Sequence, residues 1–163
     1  MNITREQILS ALAGVRDPEV PVLSVIDLGI VREVIIDGDS VEVKITPTYS
    51  GCPALQVIED NIVHTLRDKG FPKSRVTTVY SPAWTTDWMS EEAKNKLREY
   101  GIAPPQEAAP QDLVSIRKPS KPIICPFCRS THTTMQSAFG ATSCKAQYFC
   151  DACHQPFEYF KAF

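Results

Sequence analysis

Cys125-Pro126-Phe127-Cys128 and Cys150-Asp151-Ala152-Cys153 stand 21 residues apart near the C-terminus. Each C-x-x-C pair turns tightly enough to present two sulfurs to one ion, and two such turns on facing hairpins make a tetrahedral four-cysteine site. The spacing is one residue beyond the usual window for this pattern. All four positions are filled and none is open for catalysis, so a zinc ion here serves the fold. Iron in a rubredoxin-like site has the same sulfur geometry. The tail is too short to build a sufficient apolar core alone, which gives it a need for such a staple. Tyr148, Phe149, Phe157, Tyr159 and Phe160 are expected to pack around the site, and leftover Cys144 is expected as a small core residue.

A second chemistry lies at Thr46-Pro47-Thr48-Tyr49-Ser50-Gly51-Cys52-Pro53, where an alternating β-branched run ends and a helical pattern begins. Pro53 fits the first helical position. Cys52 would then be the N-cap, facing free N–H groups and the positive end of the helix dipole, which favour thiolate over thiol. That chemistry is a nucleophile or a soft metal ligand. The plain alternative is a small buried hydrophobe at a strand-to-helix turn. Thr46, Thr48, Tyr49 and Ser50 either orient a ligand or satisfy turn backbone. His64 lies three turns from Cys52, too far to act as its base. Asp17 and Glu19, in the turn Asp17-Pro18-Glu19-Val20-Pro21, are either hard metal ligands, an acid/base pair or capping carboxylates. Asp27, in an apolar setting, is expected to bond the backbone around its turn, because an unpaired buried carboxylate is costly. Trp84 and Trp88 are either a docking surface or core.

The elements that carry these residues follow from periodicity. A helix is expected over Thr4 to Val15, with a Thr4/Gln7 capping box. Residues 22–29 read as irregular. Ile30 to Ile36 and Val41 to Thr46 read as strands joined by the hairpin signal Asp37-Gly38-Asp39-Ser40. Pro53 to Lys69 is the main helix, with Leu55, Ile58, Ile62 and Leu66 as its stripe and Ala54 and Val57 widening it. Arg75 to Tyr80 is a third strand, and Ser90 caps a last helix ending at Tyr100. The order α-β-β-α-β-α gives an α+β fold with a small three-stranded mixed sheet, a Pro-rich linker and a C-terminal zinc ribbon. The expected division is 1–102, 103–122 and 123–163.

Bulk properties narrow the function classes. The chain has 163 residues and a formal net charge of −2, which excludes a strongly nucleic-acid-seeking protein as a whole. No apolar run spans a bilayer, and the polar N-terminus lacks an apolar signal region. With no export signal, paired cysteines read as metal rather than disulfide, and the expected compartment is the cytoplasm. Neither membrane nor nucleic acid is expected as a partner.

Three stretches resemble a known family. DPEVPVLSVIDLGIVREV, TPTYSGCPA and SPAWTTDWMSEEAKNKLREYGIAPP are similar to the MIP18/DUF59 family, which acts in iron–sulfur cluster assembly or metal-centre maturation. With the tail CPFC…FGATSCKAQYFCDACHQPFEYFK, the pattern resembles the family of D-type subunits of phenylacetyl-CoA epoxidase systems. That resemblance implies an accessory, non-catalytic role in aerobic phenylacetate breakdown. The epoxidase's oxygenase subunits use a di-iron centre, fed by a reductase with flavin and an iron–sulfur cluster, and these are the implied partners. It also implies that Asp17, Glu19 and Cys52 are the functional positions, holding iron or a cluster transiently, while Cys125, Cys128, Cys150 and Cys153 hold zinc.

Overall fold

The computed structural model describes residues 4–106 and 121–163. Contacts divide the chain between Ser90 and Glu91 into two compact units. The expected boundary lay at residue 102. The difference arises because Ile102 and Ala103 pair with the C-terminal sheet and carry the helix before them into the second unit.

In the first unit, α1 (Arg5–Leu12) starts on the Thr4/Gln7 capping box, with both reciprocal bonds present. β1 (Val31–Asp37) and β2 (Ser40–Ile45) form the expected antiparallel hairpin, with Asp37 opposite Ser40. Val41, Val43 and Ile45 are fully buried, while Glu42 and Lys44 on the other face take Arg75 and Glu33 as ion-pair partners. α2 (Leu55–Asp68) carries the chain to β3 (Lys73–Thr78), which pairs with β2 in parallel. A three-stranded mixed sheet, order β1-β2-β3, results. The third strand starts two residues earlier than its alternation implied, because Gly70 and Phe71 end α2 with bonds back to Arg67 and Leu66 and the chain pairs at once. Ala54, Ile58, Ile62 and Leu66 make the buried stripe of α2 at four-residue spacing. Val57, expected to widen it, is 47% exposed, since it lies one residue before Ile58 and so about 100° round the helix from the stripe.

Trp84 is core: its Nε1 donates to the Leu28 carbonyl at 2.8 Å. Trp88 is half-buried, with the Arg32 guanidinium 3.6 Å above its ring. Asp27 does bond its turn, its Oδ2 accepting from the Ser24 N–H and hydroxyl at 2.9 Å each.

In the second unit, α3 (Glu91–Tyr100) leads into β4 (Ile102–Ala103). β4 joins β5 (Thr133–Ser137), β6 (Lys145–Cys150) and β7 (Pro156–Phe160) in a sheet of order β4-β7-β6-β5. Ile102 and Ala103 lie parallel to Glu158 and Tyr159. The Pro-rich stretch expected as a linker is described only at its ends, residues 107–120 lying outside the described residues. Those ends meet: Gln106 Nε2 donates to the carbonyls of Lys121 and Pro122. The core holds Ile123, Tyr148, Phe157 and Tyr159, with Tyr148 stacked on Phe157 at 5.7 Å between centroids. Cys144 is buried as expected, whereas Phe149 is half-buried. Lys145, 6% exposed in its side chain, pairs at 2.7 Å with the half-buried Glu158, a charge pair with no signature in the sequence.

Candidate functional site

The first candidate is a narrow cleft at the start of α2. Asp17, Leu28, Ile30, Thr48, Cys52 and Ile58 line it. Cys52 is half-exposed there. α2 does not begin on Cys52 and Pro53. Its cap is Ala54, without a side-chain bond, and the Cys52 carbonyl accepts the Leu55 N–H in the turn before the helix. The expected thiolate is overturned with it. Burial pushes the Cys52 thiol up from its ordinary range. The Ala54 N–H and the Tyr49 hydroxyl favour the ionised sulfur, but the negative charges of Glu19 and Asp17 act with burial against it. One backbone N–H is too little of the dipole to outweigh two carboxylates and desolvation.

Asp17 is positioned by its own turn. It is 8% exposed, and its Oδ1 accepts the N–H groups of Glu19 at 2.8 Å and Val20 at 2.7 Å. Its own N–H bonds the Leu23 carbonyl, which ties the acidic turn to the loop behind it. Asp17 therefore both caps the turn and presents charge toward the thiol. Glu19, half-buried, lies close enough to act on the same sulfur. The structure thus brings Asp17, Glu19 and Cys52 together, and leaves His64 exposed on α2 beside Asp68. Of the hydroxyl cluster, Tyr49 acts on the sulfur and Thr48 lines the cleft, while the Thr46 hydroxyl is buried without a partner among the described residues. The apolar walls, Leu28 and Ile30, were not singled out by sequence; their only signal is the largely apolar stretch in which Asp27 is embedded.

The raised thiol has a measurable consequence. In the zinc-loaded protein, iodoacetamide should modify Cys52 with a pH midpoint above that of a free cysteine, because the thiolate is the nucleophile. Glu19→Gln removes one charge that holds the proton on, so its midpoint should move down. Mass spectrometry of the Cys52 peptide across pH reads both, and a midpoint below the free-thiol value would refute the arrangement.

The second candidate is the four-cysteine centre. The Sγ atoms of Cys125, Cys128, Cys150 and Cys153 all lie within 4.8 Å of one another. Cys125 and Cys153 are 3.7 Å apart, Cys128 and Cys150 3.5 Å. A zinc–sulfur bond of about 2.3 Å makes a tetrahedral edge of about 3.8 Å, so the four sulfurs fit a zinc ion. The same turn builds both halves. The Arg129 N–H returns to the Cys125 carbonyl at 3.0 Å and the His154 N–H to the Cys150 carbonyl at 2.9 Å. Both residues sit in the left-handed region, with φ of 65° and 58°. His132 and His154 are exposed and are not ligands in this set.

The sulfurs do not ionise alike. N–H groups of Cys153 and Ala152 hold Cys150 down at about 7, whereas burial and the neighbouring sulfurs push Cys153 up to about 12. Filling the site with a dication resolves this conflict by taking thiolates and releasing their protons. Zinc at this centre supplies folding energy, and no open position remains for a substrate.

Comparison with known proteins follows the same division. Residues 5–80 match the family model "Iron-sulfur cluster assembly protein", and residues 109–161 match "PaaD zinc beta ribbon domain". The chain is 45% identical, over 95% of its length and 91% of the other's, to an Escherichia coli protein whose name makes it the D-type subunit of 1,2-phenylacetyl-CoA epoxidase. It is 38% identical to an "Fe-S protein maturation auxiliary factor" of Porphyromonas gingivalis, over 58% of this chain and 90% of that one. A crystal structure of a DUF59 domain from Bacillus anthracis superposes with a TM-score of 0.53 at 27% identity, covering 56% of this chain and 89% of that one. No helix among the described residues is long and apolar enough to cross a membrane.

Proposed function

Because the chain belongs to the family of D-type subunits of 1,2-phenylacetyl-CoA epoxidase, we propose that it is a cytoplasmic accessory factor that matures an iron or iron–sulfur centre of a phenylacetyl-CoA epoxidase. Its clients are the oxygenase and reductase subunits. The observation that carries this is the cleft where the Cys52 thiol meets the field of Asp17 and Glu19. Ferrous iron is the cargo. As it arrives, the Cys52 sulfur gives its proton to solvent and forms a bond to the metal. The carboxylates that keep the proton on sulfur attract the cation for the same electrostatic reason. Release to the client is the reverse ligand exchange, with no change of oxidation state. A single soft sulfur with one or two oxygens holds iron weakly, so a client with a fuller ligand set extracts it. The ribbon's zinc is structural and takes no part in transfer.

The test is the iron and labile sulfide content of oxygenase and reductase co-produced with wild type or with Cys52→Ser. Iron in at least one client is expected to fall to the level seen with no accessory protein. Asp17→Asn keeps the Oδ1 acceptor that caps the turn and removes only the charge, so an intermediate loss is expected. Full client iron with Cys52→Ser would refute the proposal. The word "subunit" in the Escherichia coli relative's name favours a second reading, a stoichiometric non-catalytic component. A stable equimolar complex with unchanged client iron would favour it.

A further inference from the structure

The second unit carries a groove beside the zinc site. Its floor is Ala103 and Ile123, both buried, and Pro105 and Ile124 form its sides. Arg98 of α3 and Arg129 of the first C-x-x-C turn line it as well. Zinc ligand Cys125 lies in its wall. Large apolar groups stand exposed in the same unit: Ile124 is 52% exposed, Phe127 56% and Tyr100 60%. Phe127 packs within van der Waals reach of Gly101, which joins Tyr100 to the start of β4.

The two arginines are not tied up in ion pairs. Among the described residues, neither guanidinium makes an ion pair, and Arg98 donates only to the neutral Asn95 Oδ1. Glu91, an acid of the same helix, bonds Lys94 at 2.7 Å and feels the Arg98 charge only at longer range. Arginine is suited to interfacial carboxylates, offering a planar fork of donors that is weakly hydrated. Two such forks over an apolar floor complement a segment with a carboxylate beside a large apolar side chain.

We infer that this groove docks an acidic–apolar polypeptide segment of a partner protein, with Arg98 and Arg129 gripping its carboxylates and Ile123 and Ile124 receiving its side chain. A nucleic acid fits less well. A phosphate backbone needs a track of free cations, and the described lining of the groove offers two, Arg98 and Arg129, among mostly apolar residues. Because Cys125 lies in the groove wall, the groove exists only while the zinc centre holds that turn.

The full zinc-loaded chain is screened against a random dodecapeptide display library, and the recovered peptides are synthesised for anisotropy titrations. Enrichment of sequences pairing Asp or Glu with Leu, Ile, Phe or Trp is expected. A hydrogen bond to a charged group contributes enough that Arg98→Gln with Arg129→Gln should weaken these peptides roughly tenfold or more. Asn or Gln in place of the peptide's acid should do the same, and zinc removal should abolish binding. One zinc per chain in the double variant shows that its ribbon is folded. The inference is overturned if no peptide is enriched, if the enriched ones lack acids, or if the double variant binds them as well as wild type. Arginine-dependent binding of an oligothymidylate in place of the peptides overturns it too.

Discussion

Stripping zinc with a strong chelator, or replacing Cys150 by Ser, is expected to unfold the ribbon sheet and leave the first unit folded. The reason is the size of the two cores. The first unit buries residues from two helices and its sheet, among them Leu12, Val43, Ile62 and Leu66 at no exposure. The ribbon's apolar cluster is small, and two of its buried members are the ligands Cys125 and Cys150. Apparent binding energies of structural zinc run to about 10–16 kcal/mol at neutral pH, more than so small a core supplies by itself. Remove the ion, and four sulfurs 3.5 to 3.7 Å apart in pairs have nothing to hold the two turns together. The readout separates the units cleanly, because both tryptophans, Trp84 and Trp88, lie before Ser90. Tryptophan emission should hold steady while hydrogen-exchange protection in β6 and β7 collapses. Acid should act as chelator does, since the ligands bind zinc only when deprotonated. Joint unfolding of both units, or retention of the ribbon without metal, would contradict this.

What could be read from the sequence is what depends on neighbours in sequence. The Thr4/Gln7 box, the alternation at Val41, Val43 and Ile45, the two-residue turn at Gly38-Asp39 and the paired cysteines each carry their cause within a few residues. The ionisation of Cys52 does not. It is a sum over burial and the charges of Asp17 and Glu19, more than thirty positions earlier, and a local dipole argument has the wrong sign. The affiliation of α3 is similarly remote, since β4 pairs with Glu158 and Tyr159 far down the chain. Arg129 and His154 show a third kind of gap. A left-handed residue after each second cysteine is dictated by the turn the metal needs, and neither side chain advertises it.

Gly29→Ala is expected to be the most damaging single substitution outside the zinc ligands, and to reach the thiol cleft. Gly29 has a φ of +68°, and a Cβ placed on it would clash with the Trp88 carbonyl oxygen. Left-handed backbone costs a residue with a Cβ roughly 1–2 kcal/mol. Overpacking against backbone that cannot rotate away adds about 1–3 kcal/mol. Together that is a large share of the stability of a domain this size, and a fall in midpoint temperature of roughly 10–20 °C is expected. Gly38→Ala supplies the control. Its φ is +59°, with nothing within 4 Å of the added Cβ, so only the backbone cost applies and the fall should be less than half as large. The position of Gly29 makes the effect functional as well. It stands between Leu28 and Ile30, two walls of the Cys52 cleft, and Leu28 is pinned by Trp84. Relief of the clash must move either the Trp88 segment or the Leu28–Ile30 backbone. If the latter gives, the cleft opens to water, and the Cys52 alkylation midpoint in Gly29→Ala, read at a temperature where the variant is folded, falls toward that of a free cysteine. If the Trp88 segment gives instead, the midpoint stays where it is while the stability loss remains. Thermal unfolding equal to the Gly38→Ala control would show that the close approach to Trp88 does not hold the fold at all.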